Sequence, residues 1–148
     1  MFRAHMYQAL EEARAAAERG ETPVGAVLSD ANGRVLAANG NRVRELADPT
    51  AHAEMLVIRE ACQKLASERL LGCTLTVTLE PCPMCAGAIA HARIATLCYG
   101  TDDPKGGGVQ HGARVFLQPT CHHRPDIHDG MLAAESRALL QAFFQSLR

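Results

Sequence analysis

The sequence predicts an α/β fold, in which helices are layered against a central sheet, and three observations support it. Segments with apolar residues at helical spacing alternate along the chain with segments of β-branched and apolar residues at period two. Gly, Pro, Asp and Asn clusters separate these segments where turns are needed. A composition of 47% hydrophobic and 21% charged residues over 148 positions suits one globular core and leaves too little chain for a second. A single domain over residues 1–148 is therefore expected, with no internal repeat and no low-complexity run.

Tyr7, Leu10, Ala13 and Ala17 recur at helical spacing and Gly20 supplies a stop, so residues 2–19 read as an amphipathic helix. Residues 24–29 and 34–38 flank Asp30-Ala31-Asn32-Gly33 and read as a β-hairpin. Asp48-Pro49-Thr50 reads as a helix opening, with Asp48 as cap and Pro49 where a missing N–H costs nothing, and the helix runs to Leu65. Thr74 to Leu79 alternates as a strand and Pro81 ends it, after which Pro83 to about Arg93 forms a short helix. Ile94 to Tyr99 reads as a strand, 103–112 as a glycine-rich loop, 114–117 as a weak strand, and Met131 to Leu147 as a closing helix.

Charge and targeting features exclude several classes. The first twenty residues carry Glu11, Glu12 and Glu18, unlike a signal or transit peptide, and no apolar run is long enough for a membrane helix. A cytoplasmic protein with no membrane association is the expectation. Without an export signal, the six cysteines read as thiols or metal ligands in preference to disulfides. A net charge of −1 argues against indiscriminate coating of nucleic acid. Residues 104–148, however, carry five basic against three acidic side chains and four of the seven histidines, so a nucleic-acid contact would fall there.

One constellation carries chemistry. Cys82 and Cys85 lie three apart, so a helix that begins at Pro83 puts Cys82 at its cap and Cys85 one turn in, with both sulfurs at the positive end. That end, and a metal, favour thiolate over thiol. Cys-x-x-Cys alone also fits half of a structural zinc knuckle or a redox pair. Cys62, Cys73, Cys98 and Cys121 supply no second pair for a closed zinc site, and a redox pair leaves His52 and Glu54 unexplained.

His52-Ala53-Glu54 with Pro81-Cys82-Pro83-Met84-Cys85 matches His-x-Glu…Pro-Cys-x-x-Cys, a signature of zinc-dependent nucleobase deaminases. On this reading His52, Cys82 and Cys85 hold one zinc ion per chain, and the fourth position is left to a water whose pKa falls toward ~7. Glu54 is the catalytic proton shuttle, from water to ring nitrogen to departing amine. Periodicity raises a difficulty, because residues two apart on an ideal helix point ~200° from one another, so His52 and Glu54 do not converge if both are helical.

The whole chain resembles the bacterial tRNA adenosine deaminases, which convert the wobble adenosine of an anticodon to inosine. The matching stretches are Pro23 to Val27, Asn41-Arg42, Asp48 to Glu54, Thr78 to Cys82, Met84 to Ala88, Asp103 with Lys105, and Phe143-Phe144. The resemblance implies a three-layer α/β/α, cytidine deaminase-like fold with a central mixed sheet of about five strands, and a homodimer. It also implies a tRNA anticodon stem-loop as partner. Asn41 is carried over as a contact to the extruded base, the 103–108 loop with Asp103 and Lys105 as a contact to flanking RNA, and Ala53 and Phe144 as further substrate-binding positions.

The chain also departs from the family's pattern. The C-terminal Gln145-Ser146-Leu147-Arg148 offers a single arginine where relatives often carry a basic run, and fewer phosphate contacts would weaken affinity and its salt dependence together. Position 43 is Val where some relatives have Pro, and the loop with Cys121-His122-His123 reads as lying at an RNA surface or a dimer interface, with a second metal site there as the lesser alternative. Two other readings remain open from sequence: a deaminase of a free base or nucleoside such as guanine, cytosine or cytidine, and a zinc-stabilised binding module without turnover.

Overall fold

The computed structural model describes residues 2–147. Its elements, in chain order, are α1 (Phe2–Glu18), β1 (Gly25–Ser29), β2 (Val35–Gly40), α2 (Ala53–Leu65) and β3 (Thr74–Leu79). There follow α3 (Pro83–His91), β4 (Thr96–Thr101), a single 3-10 turn at Val115–Leu117, β5 (Asp126–His128) and α4 (Ala133–Ser146). The five strands form one mixed sheet in the order β2-β1-β3-β4-β5. β1 is antiparallel to both β2 and β3, whereas β3–β4 and β4–β5 are parallel.

Alternation along the strands sorts the helices into two layers. In β1, Ala26 and Leu28 face the cluster that contains Val57 of α2 and Ile89 of α3, while Val27 faces Met6 and Ala9 of α1. α4 packs on β4 and on α1, so α1 and α4 cover one face and α2 and α3 the other. Leu28, Leu75 and Leu97 are fully buried between the layers, each stabilising the fold by roughly 1.5–3 kcal/mol. α1 approaches the sheet closely because Gly25 has no side chain: a Cβ there would lie 1.9 Å from the Ala9 carbonyl oxygen and 2.6 Å from the Ala13 nitrogen.

The hairpin between β1 and β2 closes as its residues predict. Asp30 Oδ1 accepts the Asn32 and Arg34 N–H groups, and Gly33 takes the left-handed φ of 84° that the turn demands.

Two expectations fail. Asp48 does not cap α2: its Oδ1 accepts the Thr50 N–H and hydroxyl, which makes a local turn, and the helix opens at Ala53 with His52 as its N-cap. The weak strand expected at 114–117 is a 3-10 turn, and the fifth strand is instead Asp126–His128, which pairs with β4. Among the described residues, no helix is long and apolar enough to cross a membrane.

Candidate active site

The start of α2 and the start of α3 meet below one pocket. His52 holds extended backbone angles, φ −70° and ψ 151°, and is therefore outside the helix that Glu54 has already entered. This resolves the convergence problem, since the ~200° separation applies only when both residues are helical. At α3 the expectation holds: Cys82 is the N-cap, Pro83 the first helical residue, and Cys85 lies fully buried one turn in.

His52 Nδ1 lies 3.6 Å from Cys82 Sγ and 3.5 Å from Cys85 Sγ. These three donors are the one group of His, Cys, Asp or Glu ligands among the described residues close enough to share a metal ion. Among the described residues, Cys121, His122 and His123 do not gather into a second such group, the lesser alternative for this loop. Cys121 Sγ bonds to the His123 carbonyl and His123 Nε2 donates to the Ile94 carbonyl, so both are used in holding their own loop.

Charge at the cluster is arranged for ligation. The hydrogen bond from Cys85 pulls the Cys82 thiol down to about 4, with the His52 imidazole helping against the cost of burial, while the same bond and burial push Cys85 up. The pair thus shares one proton and gives up the first readily. His52 is raised, chiefly by its hydrogen bond with Cys82. Glu54 is raised to about 7 by burial, opposed by its own N–H and by the His52 imidazole. A carboxyl poised near neutrality can both accept and return a proton.

The pocket above them has a volume of about 560 Å³, and His52, Glu54, Cys82, Asn41, Asp103, Phe143 and Phe144 lie on its lining. That volume holds a small organic ligand. Asn41 is nearly buried and its Oδ1 accepts the Ala53 N–H at 2.8 Å, the first amide of α2. The oxygen is thereby assigned, which leaves Nδ2 as the side chain's free donor. Ala53 itself is fully buried and its N–H is spent on Asn41. Lys105 is exposed and outside the lining, and its N–H bonds to Asp103 Oδ1. Phe143 and Phe144 pack edge to face, with ring centroids 5.5 Å apart. Arg148 lies outside the described residues.

Two lining residues carry roles that the sequence did not reveal. Glu21 is buried and its carboxylate accepts the Arg44 and Glu45 N–H groups, which ties down one rim. Glu80 is buried beneath the opposite rim and accepts the N–H groups of Asp103, Val109, Gln110 and His111, and pairs with the His111 ring. Burial opposes its ionisation, but these donors outweigh burial and hold the carboxyl below its ordinary value. Its position just before Pro81-Cys82 was the available signal, since a carboxylate so near a buried strand end needs partners.

A family model for MafB19-like deaminases matches residues 2–148. The chain belongs to this deaminase family. It is 58% identical over 143 residues to the tRNA-specific adenosine deaminase of Agrobacterium fabrum, covering 97% of this chain and 93% of that one. A solved structure from a study of A-to-I editing by tRNA:A34 deaminases at the wobble position superposes with a TM-score of 0.91 at 58% identity, over 93% of this chain and 99% of the other. The guanine deaminase of Nitrosomonas europaea gives a TM-score of 0.78 at 25% identity, over 95% and 83% of the two chains. The deaminase is thus an enzyme with the cytidine deaminase-like α/β fold, and its three-donor cluster could hold a metal ion.

Proposed function

We propose that this deaminase converts adenosine to inosine at the wobble position of a tRNA anticodon, by hydrolysis at C6. The observation that carries the reaction class is Glu54, buried on the lining of a pocket beside a three-donor cluster; three protein ligands would leave the fourth position of a tetrahedral ion to water. The substrate follows from likeness to the tRNA-specific relatives along nearly the whole chain.

The donors fit zinc. With Zn–S near 2.3 Å and Zn–N near 2.05 Å, a tetrahedral ion separates sulfur from nitrogen by about 3.6 Å, and the two distances here are 3.6 and 3.5 Å. Two thiolates and an imidazole are also the donor set that zinc favours among cytosolic metals. His52, Cys82 and Cys85 would hold it, and when bound it supplies an acidified water as nucleophile at neutral pH.

The chain's own residues do the rest. Glu54 takes a proton from the attacking water and delivers it to purine N1. It then takes the second proton from the new C6 hydroxyl and passes it to the amine as the C6–N bond breaks, so that adenosine and water become inosine and ammonia. Asn41 Nδ2 donates to an acceptor on the edge of the extruded base, and its oxygen is kept out of the way by the Ala53 N–H. Phe144 offers an aromatic face to an unstacked base, while Asp103 and Lys105 contact flanking nucleotides.

The assembly is a homodimer, formed through the outer face of α2 and α3. Met84 is exposed there, Gly87 has open space beyond its Cα, and Ile58, Cys62, Ala88 and His91 line a broad surface cavity. Sedimentation of the purified protein tests this, with a monomer at micromolar concentration as the contrary result. The working compartment is the cytoplasm, where tRNA is processed.

The test of function is an inosine assay on an anticodon stem-loop with adenosine at the wobble position, beside ammonia release from free adenosine, cytidine and guanine. Inosine in the stem-loop is the expected product. Turnover of free guanine or cytidine with none on RNA would replace this reading with that of a free-base or nucleoside deaminase, a result that the likeness to a guanine deaminase makes worth measuring.

A further inference from the structure

The glycine-rich loop from Asp103 to Gly112 has neither helix nor strand to hold it, yet it supplies Asp103 and Gly106 to the pocket wall. Four of its backbone N–H groups, those of Asp103, Val109, Gln110 and His111, point toward a single buried side chain. Glu80 Oε1 accepts the Asp103 N–H at 3.0 Å and meets His111 Nδ1 at 2.8 Å. Glu80 Oε2 accepts the N–H groups of Val109 at 3.1 Å and of Gln110 and His111 at 3.0 Å each. Five donors therefore converge on one carboxylate, which saturates its roughly four lone-pair directions and leaves no site for water.

The loop is also pressed onto this carboxylate and onto the proposed metal helix. A Cβ at Gly107 would lie 2.5 Å from Glu80 Oε2, and a Cβ at Gly108 would lie 2.6 Å from the Pro83 nitrogen. The Gly108 N–H donates to the Pro81 carbonyl at 2.8 Å, so the consecutive residues Glu80 and Pro81 hold the same loop. Nothing about Glu80 faces the base end of the pocket as a free donor or acceptor. All of its capacity is spent on the loop.

We propose that Glu80 is a positioning residue that fixes the 103–111 loop as the wall receiving the nucleotides beside the target adenosine. This rests on the RNA reading above. Charge-assisted hydrogen bonds from backbone amides to a carboxylate are the stronger kind and lose little when the substrate arrives, because the loop has been ordered in advance. Glu80 thus acts on binding, and Glu54 on chemistry.

The test is Glu80→Gln in the metal-loaded protein. Whichever way the amide turns, its NH2 replaces an oxygen that serves either two or three donors, so the loop loses acceptors without losing side-chain volume. Amide hydrogen exchange at positions 103 and 109–111 should quicken by about tenfold or more. KM for the anticodon stem-loop should rise by about tenfold while kcat stays within about threefold and metal content is unchanged. A fall in kcat at constant KM would overturn the inference by placing Glu80 in the chemistry, and unchanged exchange would overturn it by showing that the loop is held otherwise.

If Glu80→Gln does not fold, His111→Ala serves, since it removes one donor from Oε1 and leaves the four backbone N–H groups. It should quicken exchange at 103 and 111 and raise KM by about threefold, and no change in either refutes the idea. Should the wild-type protein leave the stem-loop unmodified, the RNA reading fails, while the exchange comparison still decides whether Glu80 holds the loop.

Discussion

Asn41 has one observed role and one proposed role that a pair of substitutions can separate. Its oxygen satisfies the buried N–H that opens α2, and its nitrogen is proposed as the donor to the base. Asn41→Ala removes both. It leaves the Ala53 N–H buried without a partner, which costs about 1–3 kcal/mol of stability. Asn41→Asp keeps an acceptor at the same reach, and its charge sits favourably at a helix N-terminus, so stability should be held or slightly increased. The aspartate nevertheless offers no hydrogen to the base. Losing a donor to a desolvated acceptor costs about 1–3 kcal/mol, which is about 5-fold to 150-fold in kcat/KM. Urea unfolding and initial rates on the stem-loop read the two effects on the same metal-loaded preparations. The expected signature is loss of both properties in Asn41→Ala and loss of activity alone in Asn41→Asp. An Asn41→Asp enzyme within threefold of wild type in kcat/KM, or an Asn41→Ala protein as stable as wild type, would refute the assignment.

Further outcomes follow from the same geometry. Glu54→Ala should keep its metal and bind the stem-loop while turnover falls by about 10²–10⁴-fold; a protein purified without metal would make Glu54 a ligand instead. Cys85→Ala should lose the metal, measured by elemental analysis, because two donors cannot replace three. With Cys82 pulled down to about 4 by its hydrogen bond from Cys85, its thiolate persists through the neutral range in metal-free protein. Peptide mapping should therefore show Cys82 alkylated at a nearly constant rate between about pH 5.5 and 8, where an ordinary thiol gains about tenfold per unit. A rate at Cys82 that climbs with pH like the rest would contradict this, and added zinc should protect it. Gly25→Ala should destabilise the fold by about 2 kcal/mol or more, since the new Cβ meets helix backbone that cannot turn aside; calorimetry showing an unchanged midpoint would mean that α1 sits farther from the sheet.

The site was legible where residue type and spacing alone carry the chemistry. Cys82-Pro83-Met84-Cys85 is such a case: the cap, the proline and the one-turn spacing lie within four residues, and the structure reproduces them. The opening of α2 was misread because Asp48 and Pro49 suit a helix start equally well in isolation. The side chain of Asp48 instead closes a turn on Thr50, and the Ala53 N–H takes its partner from Asn41, twelve residues back. β5 escaped detection because Asp126–His128 pairs with β4 through backbone alone and buries too little to leave a pattern. Glu80 escaped for a similar reason, since its partners lie between 23 and 31 residues away and are mostly backbone groups that every residue possesses.

By itself, then, the chain's residue order pointed to candidate metal donors and a candidate proton-moving carboxyl, and determined that helices would flank a sheet, because these follow from side-chain chemistry and local periodicity. Only the tertiary structure decided that His52 stands outside the helix Glu54 has entered, that both look into one pocket, and that two buried carboxylates hold its rims. Those outcomes depend on hydrogen bonds between distant segments. A backbone N–H looks the same at every position until the fold has chosen its acceptor.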